Sequence, residues 1–294
     1  MITARALVQA DLDAVTELLQ AYDRRWFGEP FLTAEDVRAG WAVPGFDLVQ
    51  DSEGWDEDGG LVAFGTLALA HVELAVREDW AGAGLEDALL DRWETEARRR
   101  GLDAVHRHLA AADAPGLALL ADRGWEVVRP GWSLRLEAGT PVVGSDLAPG
   151  YVVRPMREAD LPAVHALSTQ AFAGYGPTPA YVDWRAGTVD RPDATVGHSR
   201  VATRADEVVG ACLVLDPPAA GPDAEAWVPE LAVAEPHRRH GLGRALLAST
   251  ILAARERGVP RLGLYTHGAT GALGLYESVG LVVRHHLVEC RLAL

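Results

Sequence analysis

The densest group of side chains able to do chemistry lies where an apolar, strand-like stretch passes into a helix-like stretch. Gly241 and Gly243 let the backbone approach an anion that a Cβ atom would hold away. Arg238, Arg239 and Arg244 add guanidinium groups, and each hydrogen bond to a charged partner contributes about 1.5–3 kcal/mol. Free amides and the helix dipole add partial positive charge. The segment predicts a diphosphate site, and a solvated basic helix start is the weaker alternative.

This segment resembles the acyl-CoA loop of the GCN5-related N-acetyltransferase (GNAT) superfamily. The motif is Arg238-x-x-Gly241-x-Gly243, with Leu231-x-Val233 before it, Leu246-Leu247 after it, and a second signature at Ala272-x-x-Leu275-Tyr276-x-x-x-Gly280-Leu281. The resemblance implies acetyl-CoA as co-substrate and no metal. It implies contacts to acetyl-CoA from the strand and from the loop, at Leu231, Ala232, Val233, Arg238, Arg239, His240, Gly241, Leu242, Gly243 and Arg244.

Pro229 lies inside the strand that leads to this loop. Proline cannot donate to a sheet ladder, so the strand starting at Trp227 is predicted to be poorly paired there. In the superfamily this strand splays from its neighbour, and the pantetheine arm lies between the two like an added strand. The alternation of side chains in a strand places Glu230 and Ala232 on one face.

Transfer of an acyl group to an amine requires a neutral amine and a proton for the departing thiolate. Glu230 is a candidate base, directly or through water, and a strand-end carboxylate in a salt bridge is an equal alternative. Tyr276 shares a helical face with Ala269, Ala272 and Leu273, a spacing typical of a core tyrosine. Its match to the proton-donating tyrosine of the superfamily favours a catalytic role.

One position departs from the superfamily pattern. An asparagine that bonds the cofactor is usual seven residues before the tyrosine, and Ala269 stands there. Thr266, His267 or Thr270 is a candidate substitute, or the contact is absent. For His267, a helix-capping role is favoured over a role as catalytic base.

The chain contains the same pattern twice. Arg5, His71 and Arg123 begin segments that resemble segments beginning at Arg154, Val228 and Val279, in the same order and at offsets of 149 to 157 residues. A stretch rich in glycine and proline separates the copies. We therefore predict two domains of like fold, at 1–140 and 151–294, with a linker at 141–150.

Elements alternate along the second half, which predicts an α/β fold with a mixed sheet (α+β). The resemblance implies two tandem GNAT-like domains, each with a mostly antiparallel central sheet, a splayed strand pair and flanking helices. Predicted strands are Tyr151–Pro155, Thr195–Thr203, Glu207–Leu215, Trp227–Val233, Arg261–Thr266 and Leu281–Leu292, and predicted helices are Ala159–Phe172, Gly241–Arg257 and Ala269–Val279.

The first half carries an altered copy of the loop. Gly84 matches Gly241, but Arg238, Gly243, Arg244 and Tyr276 become Ala81, Glu86, Asp87 and Leu120. Residues 1–146 hold 13 arginines and 27 carboxylates, a net charge of −14, while the remaining residues sum to −1. Carboxylates repel phosphates. We predict that this half does not catalyse acetyl transfer and instead completes the acceptor pocket, dimerises or stabilises its partner.

Composition excludes several classes of protein. A chain with 49% hydrophobic and 23% charged residues is globular, and an acidic chain without lysine does not suit nucleic acid or an anionic membrane. No apolar run is long enough for a membrane helix, and the start of the chain lacks signal-peptide features. Cys212 and Cys290 are too few for a disulfide scaffold or a zinc cage. We expect a cytoplasmic monomer or homodimer.

These features favour an acetyl-CoA-dependent N-acetyltransferase acting on a small amine. The tandem arrangement is similar to that of the mycothiol synthases, a branch of the superfamily with an active second domain. Protein acetylation, and a CoA-binding regulatory or interaction protein without turnover, are the alternatives. Tryptophans at 26, 41, 55 and 184 are candidates for an acceptor cleft, although such residues more often pack in a core.

Overall fold

The computed structural model describes residues 2–144, 146–174 and 179–294. Contacts between residues divide the chain into a first unit, Met1–Gly131 with His285–Leu294, and a second unit, Trp132–Arg284. The domain bounds drawn from the repeat, with a linker at 141–150, stay a prediction about where each copy of the sequence begins and ends.

The first unit is a mixed sheet with helices packed on it. Its helices are α1 (Leu12–Phe27), α2 (Ala34–Trp41), α3 (Leu85–Arg99) and α4 (Ala114–Asp122). Its strands, in spatial order, are β1 (Ile2–Arg5), β2 (Ser52–Glu57), β3 (Gly60–Ala68), β4 (His71–Val76), β5 (Ala104–Ala110) and the end of β13 (Val282–Ala293). These neighbours pair antiparallel, except that β4 and β5 are parallel and pair only at His71 opposite His106.

The second unit repeats this pattern. Its helices are α5 (Leu161–Phe172), α6 (Tyr181–Gly187), α7 (Leu242–Glu256) and α8 (Leu273–Val279). Its strands are β7 (Tyr151–Pro155), β8 (Arg200–Arg204), β9 (Glu207–Cys212), β10 (Glu225–Val228), β11 (Leu231–Val233) and β12 (Arg261–His267), and β6 (Glu126–Leu136) enters it from the first unit. Strands β7, β8, β9 and β11 form an antiparallel sheet, while β10 lies parallel to β12. The predicted mixed α/β fold with mostly antiparallel sheets and flanking helices is confirmed.

The single strand predicted at Trp227–Val233 is wrong, because the chain divides it at Pro229 and Glu230. Before the break, β10 pairs with β12 from Glu225 opposite Arg261 to Val228 opposite Leu264. After it, β11 pairs with β9 and has no second neighbour among the described strands. Pro229 has no N–H to donate, yet the chain stays beside the continuation of β9 through the interruption, since Trp227 exchanges backbone hydrogen bonds with Leu215 and the Leu213 amide donates to the Glu230 carbonyl oxygen. Among the described strands, β11 and the last three residues of β12 are therefore not paired with each other, and we call the space between them the gap.

The last helix also begins later than predicted. The helix predicted over Ala269–Val279 is replaced by a short 3-10 turn at Gly268–Thr270 and by α8, which begins at Leu273. Between them Gly271 has a left-handed backbone with φ of +62°. A left-handed residue cannot continue a right-handed helix, so the chain restarts after it.

Helix α7 is held in place by one apolar face. Leu242, Leu246, Leu247 and Ile251 are buried in the core that also receives side chains from β9, β10 and β12. Leu252, one residue further along, is 51% exposed. The burial of this face fixes the direction in which the start of α7 points.

We expect Leu246→Ala to lower the free energy of unfolding by about 2–5 kcal/mol, since Leu246 is fully buried and its truncation leaves a cavity. Leu252→Ala on the same helix is the matched control and should change stability by no more than about 0.5 kcal/mol. Urea denaturation followed by circular dichroism measures both variants. Equal losses would contradict the assignment of the buried face.

Candidate active site

The loop between β11 and α7 has an unusual backbone. A 3-10 turn at Glu235–His237 follows the strand, and the chain then turns through two left-handed residues, Arg239 with φ of +63° and Gly241 with φ of +79°. A left-handed backbone costs about 1–2 kcal/mol at a residue with a side chain, and Arg239 bears this cost. The rest of the loop must compensate for it.

The first turn of α7 presents free amides. Gly241 is the N-cap residue and has no side chain to accept a hydrogen bond from the helix. Within the described parts of the chain, no acceptor is hydrogen-bonded to the backbone N–H groups of residues 241–244. Together with the helix dipole, these donors form a site suited to a phosphate group.

Arginines surround these amides. Arg238 Nε donates to the Val233 carbonyl oxygen over 3.1 Å, which ties the loop to the end of β11. Arg244 donates to Ser278 Oγ over 2.8 Å, which orients its guanidinium against α8. Arg238 and Arg239 are exposed. The three guanidinium groups keep further N–H donors for an anion.

Three residues that the sequence analysis does not single out, Tyr151, Arg204 and His237, support the loop. The Tyr151 hydroxyl lies 2.9 Å from His237 Nδ1, and Arg204 stacks 5.1 Å above the Tyr151 ring. His240, which the sequence analysis does name, lies in the same loop with its Nδ1 2.8 Å from the Arg238 carbonyl oxygen. The spacing of these residues in the sequence gives no sign that β7, β8 and the loop meet.

Glu230 lies at the strand break, immediately before β11. Its carboxylate accepts a hydrogen bond of 2.5 Å from Ser168 Oγ and one of 3.1 Å from Trp184 Nε1. Burial raises the pKa of the Glu230 carboxyl, and the hydrogen bonds from Ser168 and Trp184 and the charge of His165 oppose that rise. No salt bridge to Glu230 is present in the described residues, so the salt-bridge alternative is wrong.

Aromatic rings stand beside Glu230. Tyr181 stacks on Trp184 with ring centroids 6.1 Å apart, and His165 lies 5.4 Å from each of these rings. Trp184 is buried in a core with its indole N–H turned to the carboxylate. Of the four tryptophans considered for an acceptor cleft, this one therefore combines core packing with a polar contact to Glu230.

Tyr276 is buried on α8. Burial and the neighbouring thiol of Cys212 raise the pKa of its phenol to about 12, while a hydrogen bond with Thr266 acts in the opposite direction. Cys212 is the residue of β9 that pairs with Leu231 of β11. The phenol therefore lies near the strand that borders the gap, and it stays protonated at neutral pH.

The threonine hydroxyl groups near Ala269 form hydrogen bonds with one another and with the local backbone. The hydroxyl groups of Thr266 and Thr270 lie 2.8 Å apart, and Thr270 Oγ1 accepts from the Ala272 amide over 3.2 Å. His267 makes no capping hydrogen bond. Thr270 forms a local turn ahead of α8, whose N-cap residue Ala272 has no side-chain capping bond within the described residues, and the capping role expected of His267 is wrong.

The first unit has the same loop backbone with opposite charge. Gly82 and Gly84 have φ of +76° and +84°, at the positions that match Arg239 and Gly241. In the first two turns of α3, Asp87 and Asp91 form ion pairs with Arg123, and burial raises the pKa of Glu86. A helix start with Glu86 and Asp87 in its first turn is unsuited to a diphosphate.

Within the described residues, no helix combines the length and apolar character required to cross a membrane. The described residues also contain no group of three or more histidine, cysteine, aspartate or glutamate side chains placed to hold a metal ion.

A sheet that splays beside a helix start with free amides and arginines is the architecture of acyl-CoA-dependent acetyltransferases. Residues 161–281 match the model of the acetyltransferase (GNAT) family. A mycothiol acetyltransferase of Thermobispora bispora is 31% identical over 219 residues, which are 71% of this chain and 71% of that protein. The chain belongs to the GNAT acetyltransferase family. It is an enzyme of acyl-CoA-dependent acetyl transfer.

Solved structures share the whole fold. A GCN5-related N-acetyltransferase from Sphaerobacter thermophilus is 25% identical, with a TM-score of 0.83 over 99% of this chain and 95% of its own. A tandem GNAT protein from the clavulanic acid biosynthesis pathway is 14% identical, with a TM-score of 0.73 over 100% of this chain and 98% of its own. The second likeness shows that a tandem GNAT protein shares this fold.

We expect Ser168→Ala to raise the pKa of the Glu230 carboxyl, because a hydrogen bond to the charged form of an acid lowers its pKa and this variant removes one. Carboxyl carbon NMR titration measures the change, with Glu230→Gln to assign the signal. Thr169→Ala is the control, since the Thr169 hydroxyl on the same helix has no hydrogen-bond partner in the described residues. An unchanged pKa in Ser168→Ala would contradict the hydrogen bond.

Proposed function

We propose that the second unit transfers an acetyl group from acetyl-CoA to the amine of a small acceptor by direct attack on the thioester. The observation that carries the proposal is the gap between β11 and β12, bordered by the free amides of residues 241–244 at one end and by Glu230 at the other. Acetyl-CoA supplies an activated acyl group on a long, hydrogen-bonding arm.

The residues fit such a substrate. We assign the diphosphate to the loop amides and to Arg238, Arg239 and Arg244, with His240 and Leu242 contributing backbone. We assign the pantetheine arm to the unpaired edge of Leu231–Val233, since this edge has free backbone groups in the described structure. Holding the thioester and the amine together lowers the activation free energy of their reaction, by about 7–11 kcal/mol in well-oriented systems.

Glu230 is assigned as the base that takes the proton of the incoming ammonium, directly or through one water. An amine has a pKa of about 10.4, and a carboxyl whose pKa is raised by burial lies closer to that value than a free carboxyl does. Ser168 and Trp184 fix the orientation of the carboxylate. Their hydrogen bonds also favour the charged form of the carboxyl and so oppose the rise of its pKa on burial.

Tyr276 is assigned to the leaving thiolate. Its pKa of about 12 lies well above the value of about 8.5 for a free thiol, so complete transfer of its proton is uphill. Its main contribution is therefore a hydrogen bond to the sulfur as negative charge develops there.

The acceptor is assigned as a small amine on two grounds. The relative named mycothiol acetyltransferase covers 71% of this chain. The rings of Tyr181, Trp184 and His165 form an aromatic surface beside Glu230, and aromatic faces attract ammonium groups. The first unit, with carboxylates in its loop, is assigned no catalytic role. We place the reaction in the cytoplasm.

We expect Arg244→Asp to weaken acetyl-CoA binding at least tenfold, since one charge-assisted hydrogen bond contributes about 1.5–3 kcal/mol and 1.4 kcal/mol is a factor of ten. Isothermal titration calorimetry with acetyl-CoA measures the affinity. Asp87→Asn changes the matching position of the first unit and should leave the affinity unchanged. If Asp87→Asn changes the affinity while Arg244→Asp does not, acetyl-CoA binds in the first unit and the proposal fails.

We expect Tyr276→Phe to lower kcat by about 10²–10³-fold and to leave the affinity for acetyl-CoA unchanged, because the phenol donates a hydrogen bond to the departing sulfur. Release of the CoA thiol over a panel of small amines measures turnover. Binding of acetyl-CoA by the wild-type protein without thiol release for any amine or peptide acceptor would favour a regulatory CoA-binding protein. Release with peptides alone would indicate protein acetylation.

A further inference from the structure

The first unit contains two cavities that share a wall. One has a volume of about 220 Å³ and the other about 110 Å³. Leu19, Leu32, His71 and Glu73 line both. The two cavities adjoin β4, the strand that matches the region of Glu230 in the second unit. A unit without the features of a catalytic loop therefore retains space for a ligand.

Glu73 occupies the position that matches Glu230, 157 residues earlier in the chain. Unlike Glu230, its carboxyl has no hydrogen-bond or ion-pair partner within the described residues, and it opens onto both cavities. Burial raises its pKa to about 7. The charge of Arg107 acts on this carboxyl without an ion pair, and an ammonium group in the cavity would give it a direct partner.

Arg107 lies in the wall of the smaller cavity and is 6% exposed. One of its five N–H groups donates to the Leu74 carbonyl oxygen over 3.3 Å. No carboxylate of the described residues lies within 4.0 Å of its guanidinium nitrogens, so this buried cation has no ion pair. The charges of Glu86 and Asp113 act on it without such a contact, and a carboxylate in the cavity would give it a direct ion pair.

The remaining wall of the smaller cavity is mainly apolar. Phe27, Phe31, Leu109 and Leu287 contribute to it. Asp23 also lines the cavity, and its Oδ2 accepts hydrogen bonds of 3.1 Å from the amides of Phe31 and Leu32. This aspartate adds negative charge on the side that faces α1.

We propose that this cavity of the first unit binds a small zwitterion with an apolar side chain, an α-amino acid by class. Its ammonium lies on Glu73 with Asp23 nearby, its carboxylate lies on Arg107, and its side chain packs on Phe27 and Phe31. A simple amine would leave Arg107 without a direct ion pair, and a simple carboxylate would meet Glu73 and Asp23. Of the three, the zwitterion alone gives both Glu73 and Arg107 a direct partner.

The test uses the full-length protein without acetyl-CoA, so that its outcome is independent of catalysis in the second unit. The probes are L-leucine, 3-methylbutylamine, which lacks the carboxylate, and 4-methylpentanoate, which lacks the ammonium. Isothermal titration calorimetry should show L-leucine binding with one site per chain. Each single-charge analogue should bind at least tenfold more weakly, since it loses one charge-assisted contact.

Substitutions then test whether Glu73 binds the ammonium group of the probes. Glu73→Gln should weaken L-leucine and 3-methylbutylamine at least tenfold and should not weaken 4-methylpentanoate. Glu17→Gln removes an exposed carboxylate of the same unit and should leave all three affinities unchanged. Circular dichroism establishes that both variants are folded. The proposal is overturned if L-leucine does not bind at millimolar concentration, if it binds no better than the two analogues, or if Glu73→Gln binds it as the wild type does.

Discussion

The interruption of the sheet at Pro229 and Glu230 is the constraint on which the rest of the second unit depends. Up to Val228 the chain pairs with β12 and, at Trp227, also with Leu215, whereas past Pro229 it pairs with β9 alone. One break thus creates a gap, an unpaired strand edge and a position for a carboxylate beside them. The buried face of α7 then directs the free amides of its first turn to the same end of β11.

The loops of the two units have a similar backbone but opposite charge, so they show the effects of backbone geometry and of charge separately. Both loops contain two left-handed residues and begin a helix at a glycine with a φ near +80°. The second loop carries arginines, whereas the first carries Asp87 and Glu86, and Asp87 pairs with Arg123. A conserved backbone shape is therefore insufficient for binding a diphosphate. The sign of the charges around the free amides decides between binding and repulsion.

The matching glutamates show how their surroundings give one residue type different roles. Glu230 is held by Ser168 and Trp184, which favours an oriented base. Glu73 opens onto a cavity without a partner in the described residues, which favours a contact with a ligand. Burial raises the pKa of both carboxyls, so the pKa alone does not distinguish the roles. The hydrogen-bond donors around each carboxyl make the difference.

The sequence by itself determined the family, the mixed α/β fold and the position of the loop, because glycine and arginine spacing and hydrophobic periodicity are local signals. It also indicated a weak point at Pro229, yet it did not predict that the strand divides there, since pairing on each side depends on different neighbours. Only the tertiary structure brought Ser168 and Trp184 to Glu230 and placed Arg107 beside Glu73 in one cavity. Such contacts join residues far apart in the chain, and no spacing within one segment encodes them.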